Sequence, residues 1–233
     1  MTPLPQPIVA LDVSSLTEAE AIVAHLGARA GFYKVGLQLF SSEGPRAVEW
    51  LHDAGKRVFL DLKLHDIPTT VHHAAASAAR LGVAVFTVHG VGGAAAVRAA
   101  VEGAGGTSEV LVVTVLTSMD LATASAALGR PLGSVEEEVL RLAALARDAG
   151  AHGVVCAASE CASVLAASSG PLRVLVPGIR LAGAGSGDQS RVATPAEAAR
   201  AGATYVVVGR TVTQARDPGS AYDRVVRELR TGA

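Results

Sequence analysis

The stretch "LDLKLHDIPTTV" (60–71) places Asp61, Lys63, His65 and Asp66 within six residues, directly after an apolar run. Successive side chains of a strand point to opposite faces, so Asp61 and Lys63 share one face while Leu60, Leu62 and Leu64 take the other. Carboxylates and ammonium groups on a poorly solvated face hold one another charged. If such an array served only to brace the fold, apolar replacements would cost less desolvation. The spacing therefore points to a proton-handling or electrostatic site in which Lys63 is a positioned acid flanked by carboxylates. Asp66 lies past the strand end, where a loop begins.

Something must hold these charges together, and the rest of the chain supplies a candidate. Short β-branched runs recur at 7–13, 32–40, 57–64, 83–90, 109–117, 152–158, 173–179 and 204–210. Between them lie amphipathic stretches at 16–27, 45–55, 69–82, 134–150 and 194–203, and a last helix at about 218–230 follows the eighth run. Gly27, Gly55, Gly82, Gly150 and Gly202 stand where helices should end. Near-continuous apolar strands alternating with helices predict a parallel sheet covered on its outer face. Eight such units in 233 residues, with no linker or shift in composition, predict one α/β domain over 1–233, a (β/α)8 TIM barrel.

Barrels of this kind carry their chemistry at the C-terminal ends of the strands. Asp12 then ends the first strand and Lys34 faces inward from the second, beside Asp61 and Lys63 on the third. His89 ends the fourth strand, and Thr117 and Ser118 the fifth. The loops after strands seven and eight often bind phosphate. Here they carry "PGIR" from Pro177 to Arg180, the glycine-rich "LAGAGSGDQ" ending at Gln189, and "VGRTVT" with Gly209 and Arg210. Glycines let backbone N–H groups approach an anion, and an arginine pairs with phosphate oxygens in bidentate fashion.

Composition narrows the partner. Twenty basic and twenty-one acidic residues give a net charge of -1, which offers no basic footprint for nucleic acid or a membrane surface. No run reaches the roughly 18 apolar residues of a membrane helix, and "MTPLPQP" lacks the pattern of a signal peptide. A cytoplasmic protein acting on a small molecule is expected. Cys156 and Cys161 are read as buried, reduced thiols.

Other residues invite simpler accounts. His72 and His73 are adjacent on a helix, which argues against a shared metal with His65. His89 is expected to be a hydrogen-bonded residue of the barrel mouth. Phe40 and Trp50 read as packing residues, and Glu136 to Glu138 as a solvated first helical turn that complements the helix dipole.

The segment "DLKLHDIPTTV" resembles the signature of the orotidine 5'-phosphate decarboxylase family. The likeness continues through "ALDV", "YKVGLQLF", "VTVLTSMD", "VPGIR…GDQ" and "VGRTVTQARDP", in the same order and nearly end to end. It implies cofactor-free and metal-free decarboxylation of orotidine 5'-phosphate to UMP. Lys63 would protonate C6 of the pyrimidine, Asp61 would sit beside the substrate carboxylate, and Lys34 would bridge Asp61 and the ribose. Asp12 would hold a ribose hydroxyl, and Thr117 and Ser118 would meet the pyrimidine. Pro177, Arg180, Gln189, Gly209 and Arg210 would form the phosphate side. The likeness further implies a homodimer in which Asp66, Ile67 and Thr70 complete the neighbouring site. Two departures stand at Thr69, where relatives often carry Asn, and at Gly90–Val91.

Three rivals share parts of this pattern. Sugar-phosphate lyases of the same superfamily keep Asp-x-Lys-x-x-Asp but need magnesium. A Schiff-base aldolase would need Lys63 to lose its proton, which neighbouring carboxylates oppose. A non-catalytic phosphate-binding barrel would have no use for every charge in the array.

Overall fold

The computed structural model describes residues 4–168, 170–181 and 191–232. Eight parallel strands close into a barrel in the order of the chain. The first half runs β1 (Gln6–Leu11), α1 (Leu16–Leu26), β2 (Phe32–Gly36), α2 (Leu37–Glu43), α3 (Arg46–Asp53), β3 (Arg57–Leu64), α4 (Pro68–Arg80), β4 (Val85–His89) and α5 (Gly93–Ala104). The second half runs β5 (Glu109–Val113), α6 (Leu121–Ala127), α7 (Val135–Asp148), β6 (Gly153–Val155), α8 (Ala158–Ala167), β7 (Arg173–Val176), α9 (Pro195–Arg200), β8 (Tyr205–Val208), α10 (Arg210–Thr213) and α11 (Pro218–Gly232). The expected (β/α)8 barrel is thus the observed one.

Strand alternation builds two apolar layers. Ile8, Ala10, Phe32, Phe59, Val85, Leu111, Leu175, Tyr205 and Val207 fill the barrel interior. Their neighbours, among them Val9, Leu11, Tyr33, Val35, Val58, Leu60, Phe86 and Val88, face the helices. Inward parity at Ala10, Phe32, Phe59 and Val85 carries upward to Asp12, Lys34, Asp61 and Thr87. The interior is therefore apolar low in the barrel and charged at its mouth.

Several boundaries differ from expectation. The second strand was expected to reach Phe40 but ends at Gly36, and Leu37–Glu43 is helical. Its apolar spacing fits either period, and only Leu39 of that segment is buried. Strands expected to reach 117, 158, 179 and 210 stop at Val113, Val155, Val176 and Val208. Their last residues leave the ladder at the barrel rim, where the loops that carry chemistry begin. Helix α5 follows β4 over an Ala- and Gly-rich segment with no polar punctuation, which hid it among the named helical stretches. The five glycines expected to end helices all adopt positive φ, from 54° at Gly27 to 89° at Gly202.

The acidic first turn of α7 is not wholly solvated. Glu138 is 2% exposed and ion-paired to both Arg130 and Arg141. Hydrogen bonding from Arg141 outweighs its burial and holds the carboxyl below the usual range. Cys156 and Cys161 are buried and unlinked, and burial raises both thiols, Cys161 to about 12. No helix among the described residues is long and apolar enough to cross a membrane.

Candidate active site

The charged residues expected to meet do so in one line across three strands. Lys34 Nζ donates to Asp12 Oδ1 at 2.7 Å and lies 3.6 Å from Asp61 Oδ2. Lys63 Nζ donates to Asp61 Oδ1 at 2.9 Å. The side chains of Lys34 and Asp61 are 9% and 14% exposed, whereas Asp12 and Lys63 at the two ends are 57% and 31% exposed. Burial pushes the Asp61 carboxyl up, but the ammonium groups of Lys34 and Lys63 and hydrogen bonds from Lys63 and Thr87 together hold it below its ordinary value. Asp61 is accordingly a fixed anion between two cations.

Room for this line comes from Gly36. A Cβ there would approach Lys34 Nζ to 2.6 Å and Asp12 Oδ1 to 3.0 Å. A side chain at this position would force the Lys34 ammonium to shift from its place beside Asp12.

Lys63 has a second peculiarity. Its φ is 52°, and it is the sole non-glycine residue with positive φ among those described. Such a left-handed backbone costs an L-residue roughly 1–2 kcal/mol. The register explains how it arises. Leu60 pairs with Phe86 and Leu64 with Val88, so β3 passes four residues while β4 passes two. Across this bulge, the Lys63 N–H donates to Thr87 Oγ1 at 2.9 Å, and Thr87 Oγ1 donates to Asp61 Oδ1 at 2.9 Å. Thr87 is 1% exposed. A lone strand threonine is unremarkable in the sequence; a parity count on β4 puts Thr87 on the inward face, and the pairing of β3 with β4 brings it beside Asp61.

Above the line opens a cavity of about 840 Å³, within the range of small-molecule sites. Asp12, Lys34, Asp61 and Lys63 form one wall. Thr117 and Ser118, from the loop after β5, form a second, and Pro177, Arg180, Gly209 and Arg210 a third. The cavity thus joins an alternating charge line to two arginines. Asp66, Ile67 and Thr70 do not line it. Asp66 is exposed and caps the Ile67 N–H through Oδ1 at 2.7 Å, and the Ile67 side chain stands out from the surface. Gln189 lies outside the described residues.

One further pair frames the mouth. Arg191 is ion-paired to buried Glu160 and donates to the carbonyls of Val115 and Leu116 at 3.2 and 3.0 Å. It thereby ties the segment after β7 to the loop that carries Thr117 and Ser118. Burial raises the Glu160 carboxyl, while Arg191 pulls it back. Removing the arginine leaves an unpaired buried carboxylate, so Arg191→Ala should lower stability by about 3 kcal/mol near neutral pH, read by urea unfolding. A carboxyl whose folded pKa lies above its unfolded value favours the fold when protonated, so the deficit should shrink as pH falls towards 4.

His89 is not the hydrogen-bonded mouth residue expected. Its Nδ1 is buried without a partner among the described residues, and its ring lies 5.5 Å from that of His65. Burial, then the nearby His65 and Lys63, lower its pKa, so it stays neutral where an exposed histidine would charge. His72 and His73 meet edge-on at 5.4 Å, and no group of three metal-ligating side chains forms among the described residues. Phe40 and Trp50 pack on the outer core as expected.

Comparison with known proteins agrees with this geometry. A relative from Anaeromyxobacter dehalogenans, called orotidine 5'-phosphate decarboxylase, is 54% identical over 95% of this chain and 96% of its own. One of the same name from Heliobacterium modesticaldum is 46% identical over 97% and 96%. The crystal structure of orotidine 5'-phosphate decarboxylase from Lactobacillus acidophilus superposes with a TM-score of 0.85 at 34% identity, covering 97% of this chain and 99% of that one. The sequence profile of the Orotidine 5'-phosphate decarboxylase / HUMPS family matches residues 5–225, and the chain belongs to that family.

Proposed function

We propose that this chain decarboxylates orotidine 5'-phosphate to UMP and carbon dioxide without a cofactor, as a carboxy-lyase of pyrimidine biosynthesis. The observation that carries this reading is the pairing, across one cavity, of the Asp12–Lys34–Asp61–Lys63 line with Arg180 and Arg210. A substrate with a carboxylate at one end and a phosphate at the other matches both walls. The C6–carboxylate bond breaks, carbon dioxide leaves, and the electron pair stays on C6. Lys63 opposes that developing charge and then gives C6 a proton, becoming a neutral amine that recovers its proton from solvent. Asp61, held anionic, faces the departing carboxylate and adds repulsion to the ground state. Lys34 joins Asp61 to the ribose, and Asp12 holds a ribose hydroxyl.

The phosphate is remote from the bond that breaks, so its contacts organise the site instead of joining the chemistry. Pro177, Arg180, Gln189, Gly209 and Arg210 take that end, and Thr117 and Ser118 the pyrimidine. Arg210→Ala should raise KM about 100-fold by removing a charge-assisted bidentate contact, while kcat falls less. Initial rates over a wide substrate range check this.

Two copies are required for a complete site in this reading. Asp66, Ile67 and Thr70 stand outside their own chain's cavity, and the exposed Ile67 suits burial against a partner. The buried, unlinked Cys156 and Cys161 fit a cytoplasmic, reducing compartment.

The deciding experiment follows orotidine 5'-phosphate by its ultraviolet absorbance, using enzyme treated with chelator. Undiminished turnover supports the reading. Activity that appears only with magnesium and a sugar phosphate would favour the lyases that stabilise an enediolate on a metal, and borohydride trapping of an adduct on Lys63 would favour an aldolase.

A further inference from the structure

We propose that Thr87 is the positioning residue that fixes the Lys63 ammonium, by tying the left-handed backbone of Lys63 to the carboxylate of Asp61. This inference rests, for its kinetic consequences, on the decarboxylation reading above. A threonine hydroxyl has one proton to give. Because Thr87 Oγ1 accepts the Lys63 N–H, that proton goes to Asp61 Oδ1, which also receives Lys63 Nζ. The contacts close a ring: backbone nitrogen of Lys63 to hydroxyl, hydroxyl to carboxylate, ammonium to the same carboxylate oxygen. Both ends of the lysine are thereby referred to one side chain on the neighbouring strand.

The ring answers a problem of geometry. A lysine stem has four flexible carbons, and a general acid must present its proton within hydrogen-bond reach of the reacting atom. The bulge turns the Lys63 backbone to φ 52°, which aims the stem, yet that conformation is unfavourable for a lysine and needs an outside contact to persist. Among the described residues, Thr87 Oγ1 supplies the partner for the N–H of Lys63. Placing two donors on Oδ1 also orients Asp61 so that Oδ2 is the oxygen nearer Lys34.

Thr87 does this without meeting the substrate. It is absent from the walls of the large cavity and instead lines a small apolar one of about 180 Å³ behind β3, with Leu60, Leu62, Leu64 and Phe86. That void lies between the outer face of β3 and β4 and helix α4. The hydroxyl is the group that links the two strands at the bulge, so its loss should disturb the lysine while leaving the phosphate and ribose contacts intact.

Thr87→Val keeps the shape and deletes the hydroxyl. It should lower kcat about 100-fold with KM changed less than about threefold, and Thr87→Ser should restore most of kcat. A valine variant with wild-type kcat would overturn the proposal, as would a serine variant impaired as much as the valine one. Where the valine variant fails to fold, Thr87→Cys replaces it: an intermediate loss is expected, and full retention overturns. A crystal structure of the variant gives a readout independent of activity. Lys63 should relax to negative φ with Nζ off Asp61, and an unmoved Lys63 would refute the positioning role. Should the wild-type enzyme not consume orotidine 5'-phosphate, the decarboxylation reading fails, and the crystallographic result alone judges Thr87.

Discussion

Lys63→Ala is expected to lower kcat/KM for orotidine 5'-phosphate by roughly 10⁴-fold or more, the combined loss of a general acid and of a charge aimed at the developing carbanion. The two contributions come from one ammonium and cannot be removed separately. Binding of the product UMP should weaken only a few-fold, because Arg180, Arg210, Asp12 and Lys34 remain in the cavity wall. Ultraviolet progress curves give the first quantity and titration calorimetry the second. Removing Lys63 also strips one cation from Asp61, which is buried and held anionic largely by Lys34 and Lys63. Its pKa should therefore rise, and the variant should lose some stability at neutral pH relative to wild type. Near-full turnover by Lys63→Ala would end its role as proton donor, whatever its effect on stability.

The second large effect concerns Asp66. Asp66→Ala should abolish nearly all activity even though Asp66 does not line the cavity of its own chain. Mixing it with Lys63→Ala should bring activity back. In a mixed dimer, one site combines both lesions, while the other draws Lys63 from one protomer and Asp66 from its partner. Random exchange of subunits then leaves about a quarter of all sites intact, from two parents that are each inactive. Mixing under mild denaturant followed by refolding provides the exchange, and sedimentation of each parent tests whether both form dimers. Parents that stay inactive when mixed, despite confirmed exchange, would place Asp66 in its own chain's site.

Much of this site was legible from residue types and spacing. Period-two alternation at 60–64 separated the leucines from Asp61 and Lys63, and the same count at Asp12 and Lys34 put four charges on one wall. The rule that barrels carry chemistry at strand ends selected Thr117, Ser118, Arg180, Gly209 and Arg210, all of which line the cavity. These deductions need only local periodicity and the number of strands. Strand lengths were less legible, since "LQLF" satisfies either period, and burial of Leu39 alone decides for helix. Glu138 misled for a related reason: an acidic first turn suits a helix whether or not arginines cover it, and Arg130 folds back onto it from the connection between α6 and α7.

Residue types and their period along the chain settle which charges occur, on which face of which strand, and that a parallel barrel gathers them at its mouth. The register of β3 against β4 emerges only in the folded barrel. The slip between Leu60 and Leu64, the left-handed backbone of Lys63 and its link to Thr87 depend on pairing between β3 and β4. So does the tether from Arg191 to the loop after β5, whose partners lie 75 and 76 residues away in the chain. Periodicity along a chain reports the direction of each side chain, whereas a bulge adds residues to one strand only, so the offset at 60–64 exists only in the pairing of β3 with β4.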